Sequence, residues 1–400
     1  MKIYHLLENL DDSYGGPAKS VPYLVKTLEE LEIQGHMLSI KYNDNELNEV
    51  IKRYDLKWLS FQFKFIKKFR YSKVLKNYLV NVIKKEKNII LHTHNLWNYI
   101  PYVSFELAKK YNIPHIVSIR GALYSWSLAQ NSLLKKIAWN LFQKKILNQS
   151  SCIHVTNISE LKAVRSLGIS SPIALVPNGI NLDEFKIMNN KDVSKAKLGL
   201  KKDKNYILFL SRIHPKKGLE YLVDSWIKNS KKYHNWDLLI VGPINDYKYF
   251  NDLQNEIEKY NLSNRVHFTG MLRGEKRIDC YSASSLFVLP SHTENFGIAI
   301  AEAMAAKLPV ITTTGTPWEE IEEHDAGWWV ELNLQNINIA LLKALSCNEV
   351  ELKKKGFNGF ELIQKYDWKH QSIKMKKIYE WVLSNIKKPE FVFRASDKSK

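Results

Sequence analysis

A chain of 400 residues exceeds what one hydrophobic core usually serves, so two domains are expected. Hydrophobic residues make up 45%, yet no apolar run approaches the roughly 18–20 residues that span a bilayer, which argues against a membrane-embedded chain. The net charge of +18 favours anionic partners, while Cys152, Cys280 and Cys347, odd in number and in no metal spacing, argue against a disulfide framework or a zinc site.

In chain order, Lys2–Leu7 reads as a first core strand rather than a secretion signal, so a cytoplasmic protein is expected. A glycine loop over Asp11–Pro17 then leads into a helix through Tyr23–Leu31. Further strands are expected at Met37–Tyr42, Ile89–Thr93, Ile116–Ile119, Ile153–Val155 and Ala174–Val176. Between Lys52 and Lys87 stand twelve basic and two acidic residues, interleaved with Trp58, Phe61, Phe63, Phe65, Ile66, Phe69 and Tyr71. That mixture suits a face resting on anionic lipid headgroups; a solvated helix face or a nucleic-acid contact are the other readings.

Pro177-Asn-Gly-Ile-Asn is turn chemistry, and a polar stretch from about Asn181 to Asn205 reads as the connection between domains. The alternation then restarts, with strands expected at Tyr206–Leu210, Leu238–Val241, Val266–Phe268, Leu286–Leu289 and Val310–Thr312. Strands alternating with helices indicate two α/β, Rossmann-like, doubly wound domains, and ligands of such sheets sit beyond the carboxyl ends of the strands. Trp368–Ile386 has helical periodicity, and the tail from Glu390 is expected to be loose.

The residues able to carry chemistry fall at those strand ends. Gly15-Gly16-Pro17 could bring backbone N–H groups to a phosphate, though a plain tight turn explains it as well. It is not G-x-G-x-x-G, which disfavours a dehydrogenase. His94 and Arg120 each follow a strand of the first half; His94 could bind a hydroxyl or transfer a proton, or be structural. Arg212 and Lys217 follow the first strand of the second half and could neutralise a diphosphate. In Pro290-Ser-His-Thr-Glu-Asn-Phe-Gly-Ile-Ala-Ile-Ala-Glu, strand, glycine turn and helix succeed one another. Glu294 and Glu302 then flank the open N–H groups of Phe296, Gly297 and Ile298, an arrangement suited to a sugar nucleotide.

This constellation resembles the retaining glycosyltransferases of family 4. The likeness rests on the Gly15-Gly16 loop, Pro177-Asn-Gly-Ile-Asn, Ser211-Arg212 through Lys217-Gly218, Val266-His-Phe-Thr-Gly270, Pro290-Ser-x-x-Glu294-x-Phe-Gly297, Glu302 and Tyr379-Glu, and spans nearly the full chain. It implies the GT-B architecture, two Rossmann-like domains facing a central cleft, with the last helix crossing back to the first domain. The implied domains are 1–190 for the acceptor, 191–367 for the nucleotide sugar, the returning helix 368–388 and a tail 389–400.

By the same resemblance Arg212 and Lys217 hold the diphosphate, Glu294 the donor sugar and Glu302 the ribose. Gly15, Gly16, Asn295, Phe296, Gly297 and Ile298 complete the donor site, and His94 and Arg120 face the acceptor. Many members carry histidine at the position of Arg120, which stays protonated and cannot be a general base. A subgroup of bacterial surface-polysaccharide enzymes is similar in having Ser-x-Arg-Gly before a Trp and a Lys-rich helix, as in Trp126–Lys136.

The reaction so implied moves a hexosyl or N-acetylhexosaminyl unit from a UDP or GDP sugar to a lipid-linked glycan, with retention. Arg212, Lys217, Glu294 and Arg120 would be the catalytic group. No Asp-x-Asp pair is present, and neither metal, cofactor nor nucleic acid is expected. The enzyme would rest on the anionic inner face of the plasma membrane. A related epimerase or phosphorylase, or a non-catalytic basic module, are the competing readings.

Overall fold

The computed structural model describes residues 1–10, 16–40, 49–63, 69–384 and 386–397. Seven strands come first: β1 (Lys2–Leu7), β2 (Gln34–Ile40), β3 (Trp58–Phe61), β4 (Ile89–His94), β5 (His115–Ser118), β6 (Cys152–Val155) and β7 (Ile173–Leu175). Six follow: β8 (Asn205–Leu210), β9 (Trp236–Val241), β10 (Val266–Gly270), β11 (Leu286–Leu289), β12 (Val310–Thr313) and β13 (Gly327–Val330). The last, β14 (Val392–Phe393), returns to the first group.

The chain divides into two compact units, Met1–Gly179 with Trp368–Lys400, and Ile180–Asp367. In the first, the sheet runs β14-β7-β6-β5-β4-β1-β2-β3, parallel except for β14. In the second it runs β10-β9-β8-β11-β12-β13, all parallel. Central strands such as β4 and β9 are buried at every position, as a sheet covered by helices on both faces requires. Their side chains are accordingly near-continuous runs of Ile, Leu and Val, broken in the first sheet by histidines.

The returning helix Trp368–Ser384 belongs to the first unit. It lays Trp368, Met375, Ile378, Tyr379 and Trp381 into one cluster with Ile3, Leu24 and Ile116. Gly179 lets that helix begin flush, since a Cβ there would stand 2.3 Å from the Trp368 ring. Over its described residues, 390–397, the tail is not loose as the sequence suggested. β14 pairs with β7, and the Phe393 carbonyl accepts from Arg165 Nη2 at 2.8 Å.

The lysine-rich segment also corrects an expectation. It is no single amphipathic face: a helix over Glu49–Tyr54, the edge strand β3 and a helix over Lys73–Lys85 succeed one another. Several of its aromatic side chains turn inward, although Tyr71 stays exposed. Phe61 is buried, Trp58 Nε1 donates to Ser39 Oγ at 2.8 Å, and Phe69 packs on Tyr99, Tyr102 and Phe142. Phe65 and Ile66 lie outside the described residues.

Candidate functional site

In the second unit the chemistry gathers on the loops after β8, β11 and β12, and backbone contacts weld these loops together. His292 N donates to the Lys216 carbonyl at 3.0 Å, and Glu294 N to the Gly315 carbonyl at 2.9 Å. Gly218, at φ 64°, makes the first weld possible, because a Cβ there would meet the Pro290 carbonyl at 2.1 Å. Gly297, at φ 78°, turns the chain into the helix Ile298–Ala305, whose N-terminus receives no side-chain cap. The Ile300 N–H donates to the Gly297 carbonyl at 2.9 Å, which leaves the N–H groups of Ile298 and Ala299 at the helix start to meet an anion.

Glu294 forms an ion pair with Lys217, and both side chains are largely buried, at 12% and 10% exposure. Burial alone would push the Glu294 carboxyl up, but Lys217, with Lys216 and Ser291 behind it, holds it below the usual carboxylate range. Arg212 is half-buried on the same loop as Lys217, and burial with Arg212 and Lys217 nearby lowers the pKa of His214. Asn295 and Ile298 are half-buried beside Glu294. The Phe296 ring is buried 5.1 Å from Trp318, and its carbonyl accepts from Trp318 Nε1.

Glu302 points into the unit rather than to an open surface. Its Oε1 pairs with Arg277 at 2.5 Å, and its Oε2 accepts from the Tyr281 hydroxyl at 2.7 Å. Neither partner is marked by any motif in the sequence.

In the first unit, Arg120 follows β5 at φ 56°, a left-handed conformation that costs a non-glycine residue about 1 kcal/mol. Its guanidinium donates to Asn178 Oδ1 and, at 3.3 Å, to His94 Nδ1. These acceptors are neutral, and burial brings its pKa down to about 10. The neighbouring carboxylate of Glu160 is turned to the N–H groups of Gly121 and Thr156. The guanidinium Nε is buried with no hydrogen-bond partner among the described residues.

His94 is not placed as a hydroxyl ligand or proton carrier would be. It is buried, with Nδ1 facing Arg120 and Nε2 facing His5 Nδ1 at 3.0 Å. A guanidinium only donates, so His94 Nδ1 accepts and the ring proton sits on Nε2, directed at His5. A second chain runs from the Tyr379 hydroxyl to His92 Nδ1, from His92 Nε2 to Ser118 Oγ, and on to His154 and the Val176 carbonyl, every link at 2.7–2.8 Å. Burial, with Arg120 close by, lowers His5 and His154 to about 3 and His92 and His94 well below their ordinary value.

One nitrogen from each of His5, His92 and His94 falls within 4.8 Å of the others, as in a metal site. The chemistry of the set does not fit one. Both nitrogens of His92 and of His94 are already engaged, and the cationic Arg120 adjoins them. Gly15 lies outside the described residues, and Gly16 begins the helix Gly16–Glu29 with nothing crowding its Cβ position.

Sequence reasoning missed His5, Asn178, Glu160, Tyr281, Arg277 and Trp318 as parts of these arrangements. Asn178 stood inside a recognised turn motif and could have been found there. Arg277 sits in an ordinary helical stretch and gave no signal.

Two family models match successive parts of the chain: Glycosyltransferase Family 4 over residues 14–184 and Glycosyl transferases group 1 over residues 190–358. An uncharacterized glycosyltransferase of Methanocaldococcus jannaschii is 27% identical over 92% of this chain and 94% of its own. The Escherichia coli UDP-Gal:alpha-D-GlcNAc-diphosphoundecaprenol alpha-1,3-galactosyltransferase is 28% identical over 75% and 77%. Among solved structures, HepE of Anabaena in complex with UDP and glucose superposes with a TM-score of 0.77 at 16% identity, over 94% and 99% of the two chains. The chain is a glycosyltransferase of the GT-B fold. The reading as a non-catalytic basic module gives way to it.

Proposed function

Taking a GT-B glycosyltransferase as the premise, we propose that the chain transfers a hexosyl or N-acetylhexosaminyl unit from a UDP sugar to a lipid-linked glycan, with retention and without a metal. The observation that carries this is the buried Lys217–Glu294 pair beside Arg212 and the uncapped helix start at Gly297. Positive charge and open N–H groups collect on welded loops, the arrangement a departing diphosphate requires. Galactosyl transfer from UDP-Gal to a diphosphoundecaprenol acceptor by the Escherichia coli relative supports the substrate class.

In this mechanism Arg212 and Lys217 take the charge that develops on the leaving phosphate. Glu294 orients the donor sugar. A carboxylate held ionised by Lys217 is a weak base and a weak nucleophile, which favours orientation over covalent attack. The departing phosphate then accepts the proton of the attacking alcohol on the same face. Arg120, a buried cation held only by neutral acceptors, is suited to an anionic group on the acceptor, such as the diphosphate of a lipid carrier.

We further assign the membrane-facing surface to residues 125–145 of the first unit instead of the lysine-rich segment. Trp139, Phe142, Ile146 and Leu147 already fill the inner face there. Leu133 and Leu141 are nonetheless 71% and 73% exposed, beside the exposed Leu134, Ile137, Lys136, Lys144 and Lys145. No Asp or Glu occurs between Glu106 and Glu160. An apolar, basic and acid-free exterior suits anionic lipid.

The test is incubation of the purified protein with UDP sugars and a synthetic diphosphoundecaprenol glycan, reading the anomeric configuration of the product. An inverted product, or UDP-sugar isomerisation without acceptor, would overturn the reading. For the surface, L133S/L141S should lose sedimentation with phosphatidylglycerol vesicles while keeping transfer to a short-chain soluble acceptor. Undiminished sedimentation of that variant would place the surface elsewhere.

A further inference from the structure

We propose that the second unit carries a saccharide-binding groove outside its donor loops, at the edge strand β13, which takes a pyranose residue of a glycan. Only the glycosyltransferase identity of the chain is needed here, not the donor and acceptor assignments above.

The groove, about 260 Å³, opens between β13 and the helix Leu334–Ser346. Trp328 and Val330 alternate along the strand and so line it from one face of the sheet. Asn336, Ile339 and Lys343, three and four residues apart, line it from one side of the helix. Glu331, the first residue after the strand, joins them. β13 stands two strands from β11, so about 10 Å of sheet separates the groove from the Glu294 loop.

The lining selects the ligand. Trp328 supplies a flat apolar wall, held by Lys355, whose Nζ stands 5.1 Å from the ring centroid and pairs with Asp325. Lys355 does not line the groove, so cation and groove meet different parts of the ring. Around the wall stand the Trp328 indole N–H, the Asn336 amide, the Glu331 carboxylate and the Lys343 ammonium. None of these groups has a hydrogen-bond partner among the described residues, and together they offer both donors and acceptors. A pyranose has the matching surface, with C–H groups on its faces and hydroxyls around its rim.

Other ligands fit less well. One carboxylate opposes one ammonium, so a phosphate or nucleotide finds no surplus of cations. The volume falls short of the roughly 300–1,000 Å³ of sites for drug-sized ligands, which suits a single sugar ring. β13 is four residues long, an edge that offers an added peptide strand few ladder bonds.

The experiment titrates the full chain, with and without UDP, with the methyl glycosides of glucose, galactose, mannose and N-acetylglucosamine. Binding is read from the ligand by saturation-transfer NMR. At least one glycoside should bind with a millimolar Kd that UDP leaves unchanged. W328L should weaken that binding about tenfold by removing the aromatic wall. N336A and K343A, on the open face of a helix, should each weaken it about fivefold, one hydrogen bond apiece. The KM for a UDP sugar should stay the same in all three variants. If W328L does not fold, the N336A/K343A double variant carries the readout. Absence of binding by all four glycosides overturns the inference, as does binding that UDP displaces or that every variant keeps. A wild-type dimer that W328L converts to monomer would assign the edge to a second copy of the chain and overturn it too.

Discussion

The two units use one parallel-sheet design, and each closes a strand end with a buried ion pair, Arg70–Glu8 in the first and Lys217–Glu294 in the second. The first adds a buried guanidinium whose hydrogen-bond acceptors are neutral. The second pairs its buried carboxylates with cations: Glu294 with Lys217, and Glu302 and Glu184 with Arg277. The first surrounds one buried guanidinium with neutral imidazoles, an amide and hydroxyls. Paired charges tolerate acid until the carboxylates protonate. Neutral buried histidines fail earlier, because the unfolded chain binds protons that the native state refuses.

Acid gives the largest effect by which to break that comparison. Five histidines of the first unit, His5, His92, His94, His115 and His154, have native pKa values held far below 6.5 by burial. Their contribution is intact above pH 6.5 and falls away below it, by about 2 kcal/mol each at pH 5. Glu160 and Glu29, which burial pushes up, work the other way, but they are two groups against five. Glu294 is held low, so its stabilisation persists until pH falls below the ordinary carboxylate range. Amide exchange read by mass spectrometry should therefore show the first unit opening between pH 6.5 and 5 while the second stays protected. Equal protection at pH 5 would end the contrast.

The second unit's cations come next. Arg212→Ala should lower kcat/KM for the donor by about 2–4 kcal/mol, roughly 30- to 900-fold, with the melting temperature little changed. Full activity in that variant would remove the diphosphate role. The smallest effect sharpens the first unit's side. Tyr379→Phe deletes the hydroxyl that His92 Nδ1 meets, and should cost about 1 kcal/mol in urea unfolding. A loss several times larger would mean that the histidine chain behaves as one cooperative block.

The two halves also differed in how much could be read from the sequence. Long apolar strands, glycine turns and the Pro290–Gly297 loop announce themselves through periodicity and local backbone demands, so the double α/β plan and the Lys217 and Glu294 positions were legible. Of the edge strands β10 was legible, but β3, β13 and β14 were not. β3 is four residues long, β13 is Gly-Trp-Trp-Val, and β14 is two residues whose pairing is set by tertiary contact. The lysine-rich segment misled because composition records which side chains are present, while packing decided that Phe61 and Phe69 point inward. Arg277 and His5 were invisible for a related reason. Their importance lies in partners brought together by the fold, Glu184 and Glu302 for one and His94 for the other.

The return of the chain to its starting unit has a consequence for biosynthesis. The first sheet lacks β14, and its core lacks Trp368, Met375, Ile378, Tyr379 and Trp381, until residues 368–393 have left the ribosome. The unit that is synthesised first is thus finished last, and its partner, made later, is complete before it. A nascent chain stopped anywhere before residue 368 leaves the amino-terminal half with an unsealed apolar seam, a natural substrate for chaperones.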